Sequence, residues 1–524
     1  MCDIEDPMTC YQCEQTVKPN GCTKVGVCTK TPLTAALQDL LVYGCAQHNN
    51  LSPKKVIQYM FMTLTNTNHN LQDLENAVED VRAQVGEKHF DDLVKKAIAT
   101  SKSEVSPHFY EKKYGKDLNS IVQLGIQGIK GAAAYLDHVY RLEEKMTMDL
   151  KELDDLAKQL QTQLAYFVNS ATMTDGLQQL LKVGTINFEV TKLLDEMNVK
   201  FNGAPELCAI PTKLVPGHSI LITGHDLVDL KTLLEKCEPL GINVYTHGEM
   251  LPSFAYPELK KFKCLKANYG HAWQLQQSEF EHFPGPILFT TNCIMKPTSK
   301  YIDKCYTTGV VGYDGVKHIV NDDWKMILQQ AQDMSGFVDE KHCRQVEEKI
   351  NQKEITSTVG FNYRVFDKLS ETLLGMIKNG KIKGFRFVGG CDGVNKSRNV
   401  FTNAAESAPE GWIVLTGACG RFKVNTLKLG DIDGIPRLLD VGQCNDIYSA
   451  IIILVKLSQA LDCTVNDLPL ELFVSWYEQK AIVQFLTLLS LGVKNIKLGP
   501  TPPVCITPAV FEILQKTYNV SLVQ

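Results

Sequence analysis

Long apolar runs are missing from this 524-residue sequence. The longest, residues 451–455 within 450–457, suits a turn of buried helix and is too short to span a bilayer. No cluster of Lys and Arg builds a basic patch, and the net charge is only −5, which argues against a nucleic-acid or anionic-membrane partner. The opening Met1-Cys2-Asp3-Ile4-Glu5-Asp6-Pro7 is acidic, with neither an apolar signal core nor an Arg-rich transit character, so a cytoplasmic location is expected. Several nucleotide and metal motifs are absent too. There is no G-x-x-x-x-G-K-[ST] loop, no H-E-x-x-H and no G-x-G-x-x-G after a strand; Gly389-Gly390-Cys391-Asp392-Gly393 is not one. A nicotinamide or flavin site is therefore unsupported, and reducing electrons have to arrive from another protein.

What is present is the composition of a folded, multidomain protein. Hydrophobic residues make up 44% and charged residues 22%, and the length predicts two to four domains. Cysteine is plentiful, at 17 residues. In a reducing compartment thiols favour metal binding or catalysis, and an odd count fits a disulfide framework poorly.

Residues 31–201 read as helices. Ala35-Ala36-Leu37-x-x-Leu40-Leu41 has the i, i+4 apolar spacing, residues 71–85 continue it, and long amphipathic stretches begin at Ile121 and at Leu150. The texture changes near residues 211–217, where short apolar runs begin to alternate with helical segments. Strands are predicted at 219–223, 243–246, 286–290, 384–388 and 412–416, and helices at 227–236, 324–334, 365–379 and 447–461. Such alternation argues parallel α/β layers. The expected fold is multidomain: an N-terminal helical bundle (1–215) followed by two Rossmann-like parallel α/β domains (216–362 and 363–524).

Four cysteines crowd the N-terminus. Cys10-x2-Cys13-x8-Cys22-x5-Cys28 places four soft ligands within nineteen residues, interrupted by Gly21 and Gly26. That arrangement suits an iron–sulfur cluster or a zinc ion, and the five-residue gap in the second pair favours iron–sulfur.

A second set is dispersed. His225, Glu249, Cys293, Cys391 and Cys419 each follow an apolar run that reads as a strand, and Cys444 sits where Val441-Gly442-Gln443 turns into a helix. Ligands of open α/β sheets bind beyond the carboxyl ends of strands, so these positions are placed to converge on one crevice. Taken singly, each cysteine reads as a small buried hydrophobe and the glutamate as a solvated loop residue; the shared position is the signal. Cys2, Cys45, Cys208, Cys237, Cys264, Cys305, Cys343, Cys463 and Cys505 lack that context and read as packing or surface thiols.

Cys10-Tyr11-Gln12-Cys13-Glu14-Gln15-Thr16, Gly224-His225-Asp226, Thr246-His247-Gly248-Glu249-Met250, Thr291-Asn292-Cys293, Gly390-Cys391-Asp392-Gly393 and Trp476-Tyr477-Glu478-Gln479-Lys480-Ala481 resemble the signatures of the hybrid-cluster (prismane) protein family, in order and along almost the whole chain. The resemblance implies a helical domain and two Rossmann-like domains related to those of nickel–iron carbon monoxide dehydrogenases. It implies a [4Fe–4S] cluster on Cys10, Cys13, Cys22 and Cys28. It further implies a hybrid [4Fe–2O–2S] cluster on His225, Glu249, Cys293, Cys391, Cys419, Cys444 and Glu478, with Cys391 carried as a persulfide. Glu249 and Glu478 would then act as ligands or proton carriers, and Lys480 would supply protons or orient the substrate. Without the resemblance, Lys480 reads as a surface charge on a helix.

The implied reaction is two-electron reduction of hydroxylamine to ammonia and water, with a ferredoxin- or reductase-type protein as electron donor. An iron held by carboxylate or imidazole is more labile than one held by thiolates, which gives an N–O substrate a place to bind. Competing expectations are a nitric oxide reductase, a nitrosative-stress sensor that transfers nitrosyl groups, carbon monoxide dehydrogenase chemistry suggested by kinship of fold, and a colourless zinc-bound scaffold.

Overall fold

A computed structural model describes residues 7–16, 21–47, 50–390 and 399–523. Helices dominate the first part, as the apolar periodicity predicts: α1 (Pro32–Gln47), α2 (Pro53–Met62), α3 (Leu71–Val85), α4 (Lys88–Thr100), α5 (Pro107–Tyr114), α6 (Lys116–Met146), α7 (Lys151–Asn169) and α8 (Gly176–Asn202). Their boundaries follow local chemistry. Ser52 accepts a hydrogen bond from Lys55 N–H to cap α2, with Pro53 at the first helical position, and Asn70 caps α3 through Asp73 N–H. Gly86 ends α3 in the left-handed conformation. The 31-residue α6 is the spine of the bundle, buried along most of its length.

Two parallel sheets follow. The first has six strands: β1 (Ser219–Thr223), β2 (Asn243–His247), β3 (Leu265–Asn268), β4 (Ile287–Phe289), β5 (Cys305–Thr307) and β6 (Lys317–His318), in the spatial order β3-β2-β1-β4-β5-β6. The second has seven: β7 (Thr358–Val359), β8 (Gly384–Gly390), β9 (Trp412–Thr416), β10 (Leu438–Asp440), β11 (Leu470–Ser475), β12 (Ile496–Gly499) and β13 (Ser521–Leu522), in the order β13-β12-β11-β8-β9-β10-β7. Every pairing in both sheets is parallel. In each, the strand order reverses in the middle, between β1 and β4 in the first and between β8 and β11 in the second. That is where a doubly wound sheet opens a crevice. The expected helical-plus-parallel α/β architecture is what the chain adopts. Among the described residues, no helix is long and apolar enough to cross a membrane.

The helix that follows β11, Gln479–Ser490, ties the second sheet to the bundle by lying against α6 and α8. Glycines make the close approach possible. A methyl group on Gly131 would stand 2.3 Å from Gln479 O, and one on Gly184 would stand 2.3 Å from Leu486 O. Leu486, Val483 and Ile482 join one continuous core that runs from the bundle into the second sheet. The first sheet has its own cores, one on each face.

Candidate metal centre

The N-terminal cysteines are folded into a small knot by backbone pairing. Cys10 N–H donates to Cys22 O at 3.0 Å and Cys22 N–H to Cys10 O at 2.7 Å. Gly21 makes this turn with φ +83°, and a side chain there would meet Cys10 O at 2.8 Å. Gly26 allows the Cys28 thiol to fold back, since a methyl group would be 3.0 Å from its Sγ. Cys13 and Cys22 are buried, and Cys10 and Cys28 half-buried. Burial, then the neighbouring Cys10 and Cys28, push the Cys13 thiol up to about 12. A buried cation, Lys30, stands beside them, with Nζ 3.9 Å from Cys10 Sγ.

The dispersed donors sit at the carboxyl ends of strands. After β1, Gly224 (φ +113°) turns the chain so that His225 N–H and Nδ1 both face Thr291 Oγ1, at 2.8 and 2.9 Å. Glu249 opens the first turn after β2, and Cys293 lies in the loop after β4. From the second sheet, Cys419 lies in the turn after β9 and Cys444 in the turn after β10. Glu478 caps helix Gln479–Ser490 beyond β11, accepting from Lys480 N–H at 2.9 Å. Cys391, which follows β8, lies outside the described residues.

Donors from both sheets meet. One ligand atom each from His225, Glu249 and Cys444 lie within 4.8 Å of one another, and all three residues are buried. Glu249 Oε2 accepts from Cys444 N–H at 3.1 Å and lies 3.5 Å from Cys444 Sγ. The Glu249 backbone is fixed independently, its carbonyl accepting from Gln443 Nε2 at 2.6 Å. Cys293 and Cys419 pack together with Trp273, Tyr477 and, from the N-terminal knot, Cys13.

The electrostatics are those of a buried site crowded with acids. Burial, followed by Cys419 and Glu478, raises the Cys293 thiol well above its ordinary value; burial, followed by Glu249 and Cys419, does the same to Cys444. Burial also raises Glu478, against the pull of Lys480. Burial and then the Lys480 charge keep His225 neutral, its proton affinity far below that of a free imidazole. Lys480 is itself buried, and its Nζ has no hydrogen-bond acceptor among the described residues. It stands 5.7 Å from the Phe61 ring centroid and 5.6 Å from that of Tyr135. The helix-surface position that Lys480 suggests in isolation is not where it lies.

The two sites are joined by direct bonds. Glu14 N–H donates to Tyr477 O at 3.0 Å, and Gln479 Nε2 donates to Gln12 O at 3.0 Å, so the residues flanking Cys13 hold the residues flanking Glu478. A narrow cavity of about 70 Å³ reaches the same place, with Ile451, Leu454, Leu472 and Val474 along its walls and Cys444, Glu478 and Lys480 among its lining.

Residues 8–523 match the Prismane/CO dehydrogenase family. The chain belongs to this family. Curated relatives share its length as well as its sequence. A protein of Maridesulfovibrio salexigens named hydroxylamine reductase is 40% identical over 98% of this chain and 97% of its own. One of the same name from Methanocella arvoryzae is 39% identical over the same shares. Solved structures of the family's wider fold are more distant. Carbon monoxide dehydrogenase from Thermococcus sp. AM4 superposes with a TM-score of 0.53 at 16% identity, covering 98% of this chain and 88% of that one. Carbon monoxide dehydrogenase IV from Carboxydothermus hydrogenoformans gives 0.53 at 14% identity, over 99% and 90%. At those identities the likeness is one of fold.

The donor sets fit iron–sulfur groups of the kind the family name implies. The N-terminal set is all soft thiols, and among the described residues the crevice joins the thiols of Cys293, Cys419 and Cys444 with one imidazole and two carboxylates as harder donors. Glu249 Oε1 is buried without a hydrogen-bond partner among the described residues, as expected of an atom reserved for a cation. Sequence reasoning did not find Arg421, Gln443 or Gln479, which bond the donor-bearing segments to one another. Arg421 carried the clearest signal, a charged residue two positions beyond Cys419 in the otherwise small and apolar Gly417-Ala418-Cys419-Gly420.

Proposed function

We propose that this protein is a cytoplasmic iron–sulfur hydroxylamine reductase. Hydroxylamine takes up two electrons and two protons, its N–O bond breaks, and ammonia and water leave. A [4Fe–4S] cluster is assigned to Cys10, Cys13, Cys22 and Cys28. A hybrid [4Fe–2O–2S] cluster is assigned to His225, Glu249, Cys293, Cys419, Cys444 and Glu478, with Cys391 as a persulfide ligand. The observation that carries the reading is the meeting of His225, Glu249 and Cys444 from two different sheets within 4.8 Å, beside a buried lysine. Bound there, the hybrid cluster supplies electrons and an exchangeable iron position.

The chain's own residues do the rest. Lys480 Nζ, unpaired among the described residues and lining the cavity, is placed to deliver a proton to the departing oxygen. Glu478 lies on the same cavity, where it would serve either as a cluster ligand or as a second proton carrier. The cavity's walls are mostly apolar, and its volume of about 70 Å³ suits only a small substrate. Electrons come from an external donor protein, and Cys13, packed against Tyr477, Cys293 and Cys419, marks the side on which they enter. The relatives' shared name supports the substrate, and the many free cysteines suit a reducing cytoplasm.

The test is ammonia formation from hydroxylamine with a reduced viologen dye, scored as one ammonia per two electrons. Absence of ammonia from iron-loaded protein sinks the reading. Lys480→Met is expected to lower kcat by about 10²–10⁴-fold with iron content unchanged, as loss of a proton donor does. Equal kcat in that variant would remove Lys480 from the mechanism. A second reading, reduction of nitric oxide, is favoured by the apolar walls of the cavity, which admit a neutral diatomic more readily than a polar amine. Competition between the two substrates in the same assay separates them.

A further inference from the structure

Arg421 is fully buried two residues beyond Cys419, and its fork is distributed over several chain segments. Nε donates to Ala418 O at 2.9 Å, within its own turn. Nη1 donates to Asp440 Oδ2 at 3.0 Å, at the end of β10, and Nη2 donates to Gly442 O. Asp440 closes the ring by accepting from Gly442 N–H at 2.9 Å through its other oxygen. The turn that carries Cys419 and the turn that carries Cys444 are thereby held by one side chain.

The remaining neighbour comes from the other sheet. Glu249 Oε1 lies 3.7 Å from Arg421 Nε, an ion-pair distance but too long for a hydrogen bond. Nε is already committed to Ala418 O, and Glu249 Oε1 has no hydrogen-bond partner among the described residues. The opposite oxygen, Oε2, is engaged by Cys444 N–H. Burial opposes the guanidinium charge, but Asp440 and then Glu249 more than offset it, so the cation persists.

We propose that Arg421 is the positioning residue of the crevice: it fixes the turns bearing Cys419 and Cys444 and holds the Glu249 carboxylate by charge alone, leaving Oε1 free to bind a metal. This rests on the reading that these three side chains serve one cluster. A lysine could keep the charge, but its single ammonium cannot span Ala418 O, Asp440 and Gly442 O together. An ion pair that merely stabilised the second sheet would account for Asp440 and would have no need to face Glu249.

Arg421→Met and Arg421→Lys in the full-length, anaerobically purified protein test this. Iron per chain, the paramagnetic resonance of each cluster, and kcat and KM for hydroxylamine are the readouts, with the N-terminal cluster's signal as the internal reference for folding. Arg421→Met is expected to lose the second signal and keep the first. Arg421→Lys is expected to keep both, with the second altered in shape and kcat lowered by about tenfold to a hundredfold while KM moves less. If Arg421→Lys keeps an unaltered second signal and a kcat within about twofold of the parent, the proposal is overturned. It is also overturned if Arg421→Lys loses both signals, which would make the arginine a folding residue. A parent protein without a second signal defeats the underlying two-cluster reading instead.

Discussion

Glu249→Ala is expected to lower hydroxylamine turnover by about a hundredfold or more while the N-terminal cluster's resonance stays as it is. The carboxylate is the donor that links the two sheets: it comes from the end of β2, and its Oε2 touches Cys444 from the end of β10. Truncation removes that link and leaves His225 and Cys444 without the third member of their group. The fold should tolerate the change, because the Glu249 backbone is held separately by Gln443 and, among the described residues, the N-terminal knot shares no hydrogen bond with it. The viologen-coupled ammonia assay, run beside iron analysis, checks both halves of the expectation. Full turnover in the variant would place the chemistry elsewhere.

Gly131→Leu is expected to be nearly as damaging, although the residue touches no proposed ligand. A side chain on Gly131 drives into Gln479 O, where even a methyl group would stand at 2.3 Å, and the obstacle is backbone that cannot turn aside. Helix Gln479–Ser490 must move away from α6, and Glu478 and Lys480 at its start must move with it. Overpacking of this kind costs about 1–3 kcal/mol and sometimes more. A lower melting temperature together with a loss of kcat that outlasts any loss of folded protein is the expected pair of results. Gly184→Leu should behave alike, since it meets Leu486 O from the side of α8. Gly375→Ala is the control: a methyl group there meets nothing within 4 Å, in the interior of helix Tyr363–Lys378, and should stabilise by about 0.5–1 kcal/mol with activity unchanged.

Periodicity and strand-end position were enough to read much of this molecule. The strand predicted at 219–223 is β1 and that at 412–416 is β9, residue for residue, because both are short apolar runs bounded by glycine and polar turns. The rule that ligands gather beyond strand ends singled out His225, Glu249, Cys293, Cys419 and Cys444, and with them Cys391, which lies outside the described residues; it needed no contact information. Glu478 and Lys480 were legible only through the family resemblance. The strand before them, β11, alternates too weakly to stand out, and nothing near Lys480 in the sequence announces that it will be buried against Phe61 of α2 and Tyr135 of α6. Arg421 stayed hidden for a similar reason: Glu249, 172 positions away by number, gives it much of its meaning, and such pairings arise only when two sheets face each other. Glycines 125, 128 and 131 of α6 could be seen but not explained until the helices and rings packed against them were known.

The central claim is that one chain holds two separate iron–sulfur clusters, the second assembled from both sheets. Iron and sulfide analysis with paramagnetic resonance, on protein purified without oxygen, tests it most directly. About eight irons per chain and two distinguishable signals are predicted, one of them lost in Cys22→Ala and the other in Cys444→Ala. About four irons with a single signal that survives Cys444→Ala would contradict it, for the dispersed donors would then hold no cluster at all.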